Sequence, residues 1–347
     1  MNKNPYYIVA PRFTYTSAGV RVLYKLCDLI NKLGYESYIY QRPHLSFSKN
    51  LNGYSLKFLT ASIRNLHYKK KLTPIVIYPE TIDITKFNPP FRVRYFLNYK
   101  NLLATNLSKK RDNFILTYSQ NILDKLKMTT PSQSIFIPVS DYLFFKPNIN
   151  KERKGCVYYA GKYKYHFNGK TFSITDGMIE ITRDEIRSQS REEIKHLFQS
   201  SELFYCYEDS ALAIEAMLCG CPVVFLPNKH FKECLASKEL KGIGYAWGND
   251  KHQIKHAKQT INLFRKRYIF LVKKTENQVK IFINKTQTLV KEKKYSSPFG
   301  EGYIEKYNFL GGRFVILRFI MEYIEDNGIL KIIKTIYKRI SYKRFKI

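Results

Sequence analysis

Short apolar runs alternate with amphipathic stretches along most of this chain. In the first half, six runs have the length of buried strands, at residues 6–11, 38–40, 75–78, 94–98, 114–119 and 135–139. After the first run, apolar residues recur at helical spacing from Val20 to Ile30, and Gly34 lies where a helix should end. The pattern begins again with strand-like runs at 156–162, 180–183, 203–207 and 221–227, with a loop predicted at 242–247. A long helical stretch covers about 250–291, so the pattern predicts two α/β units with parallel sheets.

A turn-rich segment at residues 140–154 separates the two units and is predicted to be a linker. The predicted domains are therefore residues 1–145, residues 146–295 and a C-terminal tail of residues 296–347. In the tail, isoleucines recur at helical spacing from Ile329 to Ile340, flanked by Lys331, Lys334 and Lys338. Basic amphipathic helices of this type lie at membrane surfaces, so we expect membrane contact. The alternative is a helix that packs back across the N-terminal domain.

Composition narrows the class of protein. The 347 residues carry a formal net charge of +31, which attracts nucleic acid or an anionic membrane surface. Because no nucleic-acid-binding motif accompanies the charge, specific nucleic-acid binding is not expected. The six cysteines form no Cys-x-x-Cys pair, and the first ten residues run directly into a strand. We therefore expect a cytoplasmic protein, peripheral on the inner face of the cell membrane.

The stretch from residue 203 to residue 227 contains the clearest candidate site. An apolar run is followed by Glu208, Asp209 and Ser210, then by a short helical pattern that ends at Gly220. A helix N-terminus at the carboxyl end of a parallel strand suits a phosphate, which Ser210 and the amides of Ala211 and Leu212 would hold. Glu215, just over one turn further on, could accept hydrogen bonds from a ribose diol.

This stretch resembles the donor-binding signature of GT-B glycosyltransferases, of the family 4-like, bacterial surface-polysaccharide type. The sequence Glu-Ala-Met-Leu-Cys-Gly-Cys-Pro-Val-Val at residues 215–224 matches E-A-M-x-x-G-x-P-V-V. The resemblance implies two Rossmann-like domains that face each other across a cleft. It assigns Glu215 to the donor ribose. The family's signature has a second carboxylate earlier in the chain, and its counterpart here is Glu208 or Asp209. Glu208 is one position closer to Glu215 than is usual, and Asp-Ser-Ala replaces the usual Gly-Phe-Gly.

Further residues are candidates by their place at strand ends. In the resembled family the turn after the first strand of the second domain carries a basic pair for the donor diphosphate. Gly161 and Lys162 match it, with Lys164 or Lys170 as the second cation, and Lys162 is predicted to stabilise the leaving group. Arg183 is expected to face the base or the phosphates. In the first domain, the strand ends place Ser17, Gly19, Glu80 and Asn98 toward an acceptor or a phosphate.

The resulting hypothesis is a retaining, metal-independent glycosyltransferase. It would move sugar from a nucleotide-sugar donor to a lipid-linked glycan in surface-polysaccharide synthesis, with no cofactor beyond that co-substrate. Neither an Asp-x-Asp sequence nor a metal-ligand motif occurs in the chain. Two alternatives remain open: a GT-B-fold nucleotide-sugar epimerase or hydrolase, and a non-catalytic polyanion-binding protein.

Overall fold

A computed structural model describes residues 3–41, 54, 56–82, 89–99, 112–127, 129–183 and 188–292. Within these residues the chain forms two parallel β-sheets, covered by helices. The strands of the first sheet are β1 (Tyr6–Ala10), β2 (Ser37–Gln41), β3 (Ile75–Pro79), β4 (Phe91–Phe96), β5 (Phe114–Thr117) and β6 (Ser132–Ser134). Those of the second are β7 (Cys156–Tyr159), β8 (Ile179–Glu180), β9 (Leu203–Cys206), β10 (Val223–Phe225) and β11 (Tyr245–Trp247). The helices are α1 (Ala18–Lys32), α2 (Ala61–Lys69), α3 (Gln120–Leu126), α4 (Gly161–Tyr165), α5 (Arg191–Ser200), α6 (Ala211–Leu218), α7 (Ser237–Leu240) and α8 (Lys251–Glu292).

The first sheet has the order β2-β1-β3-β4-β5-β6, and all of its described strand pairs are parallel. Because parallel strands are covered on both faces, β1 and β3 are buried at every position. Helix α1 begins at Ser17, whose side chain accepts the amide N–H of Val20. This cap places the N-terminus of α1 at the carboxyl end of β1.

The second sheet has the order β11-β10-β9-β7-β8 and is also parallel. Helix α5 opens with a capping box, in which Ser190 and Glu193 exchange both hydrogen bonds. Helix α6 connects β9 to β10 over the residues that the sequence predicted, and it ends before Gly220, which has a φ of +76°. The strand–helix–strand unit of the signature is therefore confirmed.

Helix α8 belongs to the hydrophobic cores of both sheets. Its first half packs Phe264, Tyr268 and Leu271 into the core beside the second sheet. Its second half packs Val279, Phe282 and other residues into the core beneath the first sheet. A hydrogen bond between the hydroxyls of Thr286 and Tyr6 (2.8 Å) and one from the Gln287 side chain to the Asn4 carbonyl (2.8 Å) attach its end to β1 and the residues just before it. A single rigid helix thus connects the two units.

The predicted fold class, two Rossmann-like parallel sheets that face each other across a cleft, is confirmed by this topology. The two units also meet through ion pairs between α3 and the segment around α7, Lys125 with Glu233 and Lys238 with Asp124. Helix α8 is the element that packs back against the core of the first sheet. The sequence left open whether the basic tail at 296–347 packs against the N-terminal domain in this way or contacts a membrane. That tail lies outside the described residues.

Some local predictions were wrong. Residues 135–139 form no strand; the edge strand is instead the polar β6, which ends at Ser134. Residues 245–247, predicted as loop, form β11, a strand of only three residues between glycines. Helices α2 and α3 were not predicted. Among the described helices, none has a stretch both long and apolar enough to cross a bilayer.

The role of α8 predicts unequal effects for two neighbouring substitutions. Phe282 is fully buried, with its ring centroid 5.6 Å from that of Phe114, whereas Ile281 is 41% exposed. Phe282→Ala should lower the free energy of unfolding by about 3–5 kcal/mol, because it leaves a cavity in the first core. Ile281→Ala should change it by less than about 0.5 kcal/mol. Urea unfolding followed by circular dichroism measures both, and equal effects would contradict the packing described for α8.

Candidate active site

A cavity of about 810 Å³ opens between the two sheets, where the carboxyl ends of their strands face each other. Ligands of open parallel sheets bind at this edge, outside the carboxyl ends of the strands. Many of the residues predicted from the sequence line the cavity: Ser17, Gly19, Glu80, Asn98, Gly161, Lys162, Arg183, Glu208, Asp209, Ser210 and Ala211. The structure therefore brings together residues from opposite halves of the chain.

Helix α6 begins at the cavity wall. Ser210 is its N-cap, and the Ser210 hydroxyl accepts the Leu212 amide N–H at 3.3 Å. Ser210 and Ala211 line the cavity, whereas the Leu212 side chain is fully buried and does not. A phosphate at this helix N-terminus would meet the positive end of the helix dipole. To bind the Leu212 amide, however, the phosphate would have to displace the Ser210 hydroxyl.

Glu208 connects the end of β9 to helix α4. Its carboxylate accepts the backbone N–H of Lys162 at 2.6 Å. Burial raises the pKa of Glu208, and the Lys162 charge and the amides of Lys162 and Tyr163 partly oppose that rise. Glu208 therefore fixes the position of the turn that carries Lys162.

Asp209 is the next residue along the cavity wall. Its carboxylate accepts the Leu235 amide N–H at 2.7 Å. Burial raises the pKa of Asp209 to about 6, against the opposing effects of that hydrogen bond and of Lys162. Asp209 therefore changes charge close to neutral pH, at the edge of the cavity.

Glu80 lies on the opposite wall, directly after β3. Its side chain accepts the Leu97 amide N–H at 3.0 Å, and the residue is only 5% exposed. Burial raises the pKa of Glu80, while the amides of Leu97 and Asn98 lower it. The first domain thus presents a carboxyl group whose orientation is set by the backbone after β4.

Two cationic side chains face these carboxyl groups from the second domain. Lys162 is exposed at the cavity, and its charge acts on both Glu208 and Asp209. The guanidinium of Arg183 donates to the Tyr15 carbonyl at 3.3 Å, which links it to the loop before α1. The cavity therefore has cations and a helix N-terminus on the side of the second sheet and a buried carboxyl on the side of the first.

No protein-family model matches the chain, and no curated protein matches it. Among solved structures, the chain is similar to Os79 from O. sativa in complex with UDP, at 9% identity and a TM-score of 0.45, over 81% of this chain and 99% of that one. It is similar to a glycosyltransferase from Rickettsia africae ESF-5 at 11% identity and a TM-score of 0.42, over 84% and 97% of the two chains. An alpha-glucosyltransferase in complex with UDP and a 13-mer DNA matches at 12% identity and a TM-score of 0.42, over 84% of this chain and all of that one. Because these TM-scores are low, the fold is assigned from the sheets and helices of this chain itself.

Besides Leu212, two of the predicted donor-binding residues do not line the cavity. Glu215 is buried on α6, and its Oε1 lies 3.3 Å from Nη1 of Arg21 on α1 and 3.3 Å from the Ser140 hydroxyl. Lys170 is exposed and does not line the cavity. For Glu215 to reach a ribose, the ion pair with Arg21 would first have to separate. The donor-binding roles of Glu215 and Lys170 stay predictions.

Lys164 forms an ion pair outside the cavity. Its Nζ lies 2.6 Å from a carboxylate oxygen of Glu180, and that hydrogen bond raises the pKa of Lys164. The residue does not line the cavity, so Lys162 is the member of the predicted basic pair that faces it.

Other cavity residues were missed in the sequence. Tyr118 follows β5, so the rule that selected Glu80 and Asn98 at strand ends would have found it. His166 and Tyr165 come from α4, which was predicted as the end of a strand. Tyr268 comes from α8, and no local pattern could have placed it there. Within the described ranges, no group of three His, Cys, Asp or Glu side chains could hold a metal ion.

The raised pKa of Asp209 predicts a pH-dependent stability. Between its ordinary pKa of 3.8 and about 6, the folded state binds more protons at this carboxyl than the unfolded state does. Stability should therefore fall as pH rises through this range, by at most about 3 kcal/mol at about 1.4 kcal/mol per unit. Asp209→Asn should lose this part of the pH dependence. Urea unfolding of both proteins from pH 4 to 7 measures it, and parallel curves would show that folding does not raise the pKa of Asp209.

Proposed function

We propose that this protein is a glycosyltransferase that takes a sugar from a nucleotide donor held by the second domain. The observation that carries the proposal is the position of the signature helix. Helix α6, whose sequence resembles the GT-B donor motif, begins at the cavity wall and faces Gly19 and Glu80 of the first domain. A donor at α6 would thus present its sugar to an acceptor held between the sheets.

The donor diphosphate would lie between the N-terminus of α6 and the turn at Gly161 and Lys162. Ser210 and Ala211 supply the positive end of the helix, and Lys162 supplies a full charge. Glu208 holds the backbone of Lys162, so this turn is already positioned before a ligand arrives. Arg183, at the rim of the cavity, would contact the nucleotide base or the phosphates.

In the transfer step the bond between the sugar anomeric carbon and the diphosphate oxygen breaks, and the acceptor hydroxyl oxygen bonds to that carbon. The leaving diphosphate gains negative charge, which Lys162 would stabilise in place of a metal ion. We propose retention of configuration, in which the departing phosphate oxygen takes the acceptor proton. In this scheme no side chain acts as the base, and Glu80 and Asn98 orient the acceptor.

The proposed acceptor is a lipid-linked glycan at the inner face of the cell membrane, as in surface-polysaccharide synthesis. The net charge of +31 supports this setting, as does the basic pattern at residues 329–347, which lies outside the described residues. Faster transfer to a membrane-bound glycolipid than to the same glycan free in solution would support the proposal. Equal rates would contradict it.

Substitution of Lys162 tests the reaction. Lys162→Ala should lower kcat by about 10- to 1000-fold with a smaller change in KM, because the ammonium acts mainly on charge that develops in the transition state. The matched control is Lys164→Ala, two residues further on, which should leave both constants nearly unchanged because Lys164 pairs with Glu180 away from the cavity. Transfer from a labelled nucleotide sugar measures both variants in excess EDTA.

Three outcomes would contradict this account. An effect of Lys162→Ala on KM alone would make the lysine an anchor for the donor. Loss of activity in EDTA that magnesium or manganese restores would exclude the metal-free scheme. Release of free sugar or of an epimer when no acceptor is present would favour the hydrolase or epimerase alternative.

A further inference from the structure

Helix α8 carries a straight apolar stripe on its outer face, opposite the side that packs into the two cores. Leu263, Phe270 and Ile281 are 56%, 52% and 41% exposed. Their spacings of seven and eleven residues are close to two and three whole helical turns, so the three side chains lie along one line. From Leu263 to Ile281 the stripe extends roughly 27 Å along the helix.

Basic side chains flank the stripe on both sides. Lys266, Lys273 and Lys280 recur every seven residues along one side, and Arg267 and Lys285 lie along the other. Lys274 lies close to the line of the stripe itself, between Phe270 and Ile281. Over its full length α8 contains eleven Lys and Arg residues but only two acidic residues, Glu276 and Glu292. The face therefore combines three exposed apolar side chains with a high density of positive charge, which includes Lys274 between Phe270 and Ile281.

Part of this charge has a protein counter-charge, since Lys274 and Arg267 both act on the Glu239 carboxylate and oppose the rise in its pKa that burial causes. Lys280 pairs with Glu276 at 2.8 Å, and the Arg267 guanidinium donates to the Glu239 carbonyl and lies 5.2 Å from the Phe270 ring centroid. Across the described part of the chain, Lys266, Lys273 and Lys285 form no ion pair, and all three are exposed. A partner for this face must supply negative charge along the edges and accept apolar side chains between them.

We propose that the outer face of α8 binds an anionic lipid bilayer, with Leu263, Phe270 and Ile281 inserted between headgroups that the flanking lysines neutralise. A bilayer surface combines both properties that the face requires. A nucleic-acid backbone matches the lysines but offers no apolar layer for the stripe. The sequence at 293–347 has twelve Lys and Arg against five Asp and Glu, so it carries net positive charge, unlike the partner that the flanking lysines require.

This contact surface is separate from the basic pattern at residues 329–347 and would orient the molecule. Tyr268 of α8 lines the cavity, and it projects from the side of the helix nearly opposite the stripe. The cavity wall therefore lies about one helix diameter, roughly 10–12 Å, from the proposed lipid contact. Because α8 packs into both cores, a bilayer on its outer face holds both sheets in one orientation.

Neutralising the lysines tests the charge component. In the full chain, Lys266→Gln, Lys273→Gln and Lys285→Gln together should weaken binding to vesicles of phosphatidylcholine with phosphatidylglycerol by on the order of 100-fold. The matched control neutralises three exposed lysines elsewhere, Lys69, Lys70 and Lys151, and should retain nearly all binding. Co-sedimentation measures both, and equal melting temperatures confirm that the variants fold. Since the tail is present in every variant, a difference between them belongs to α8.

Insertion of the stripe has its own measurement. The chain has a single tryptophan, Trp247, which packs against Phe225 and Phe231 and supplies a constant background. In Phe270→Trp, added anionic vesicles should shift the emission to shorter wavelength, and brominated lipid should quench it. Leu66→Trp is the control: Leu66 is 49% exposed on α2, outside the proposed contact, and its substitute should show neither change.

Several results would overturn the proposal. These are unchanged vesicle binding by the triple lysine variant, equal loss in its control, and quenching at residue 66 in place of residue 270. Binding of duplex DNA, or dimerisation in sedimentation velocity, that the triple variant abolishes while vesicle binding persists would assign the face to those partners. All of these assays omit the nucleotide sugar, so their outcome is independent of the proposed transfer reaction.

Discussion

The structure depends on one helix that completes two hydrophobic cores. Either sheet would expose an apolar face if α8 were removed, because Tyr268 and Leu271 fill one core and Val279 and Phe282 fill the other. Through α8, the stability of each domain therefore depends on how the two domains are placed relative to each other. That position determines the cleft, since the cavity has walls from both domains and also from Tyr268 of α8.

The chemistry of the cleft follows from backbone groups that orient side chains. Glu80, Glu208 and Asp209 each accept an amide N–H from a neighbouring segment, and burial raises the pKa of all three. The chain has a net charge of +31, but these three carboxyl groups line the same cavity as Lys162. The cavity therefore carries less positive charge than the protein as a whole. In the proposed donor complex, the ionised carboxyl groups would repel the diphosphate from the rest of the wall and so favour its position beside Lys162.

The sequence was sufficient where local rules decide the structure. The signature helix and the long helix α8 both follow from spacing and end signals, and the structure has them where they were predicted. It was insufficient where a partner comes from far along the chain. Glu215 matches a donor motif, yet its carboxylate pairs with Arg21, 194 residues away. Likewise, β11 is a short strand whose place depends on pairing with β10.

The central claim is that the cavity between the sheets binds a nucleoside diphosphate through the N-terminus of α6 and the Lys162 turn. Thermal unfolding with a panel of nucleoside diphosphates and nucleotide sugars tests it most directly, because a ligand that binds only the native state stabilises it. At a concentration of about 100 times Kd, the stabilisation is about 2.7 kcal/mol, which raises the melting temperature by several degrees. The account predicts such a rise for at least one nucleoside diphosphate, and a smaller rise for its monophosphate. A melting temperature unchanged by every member of the panel would contradict it.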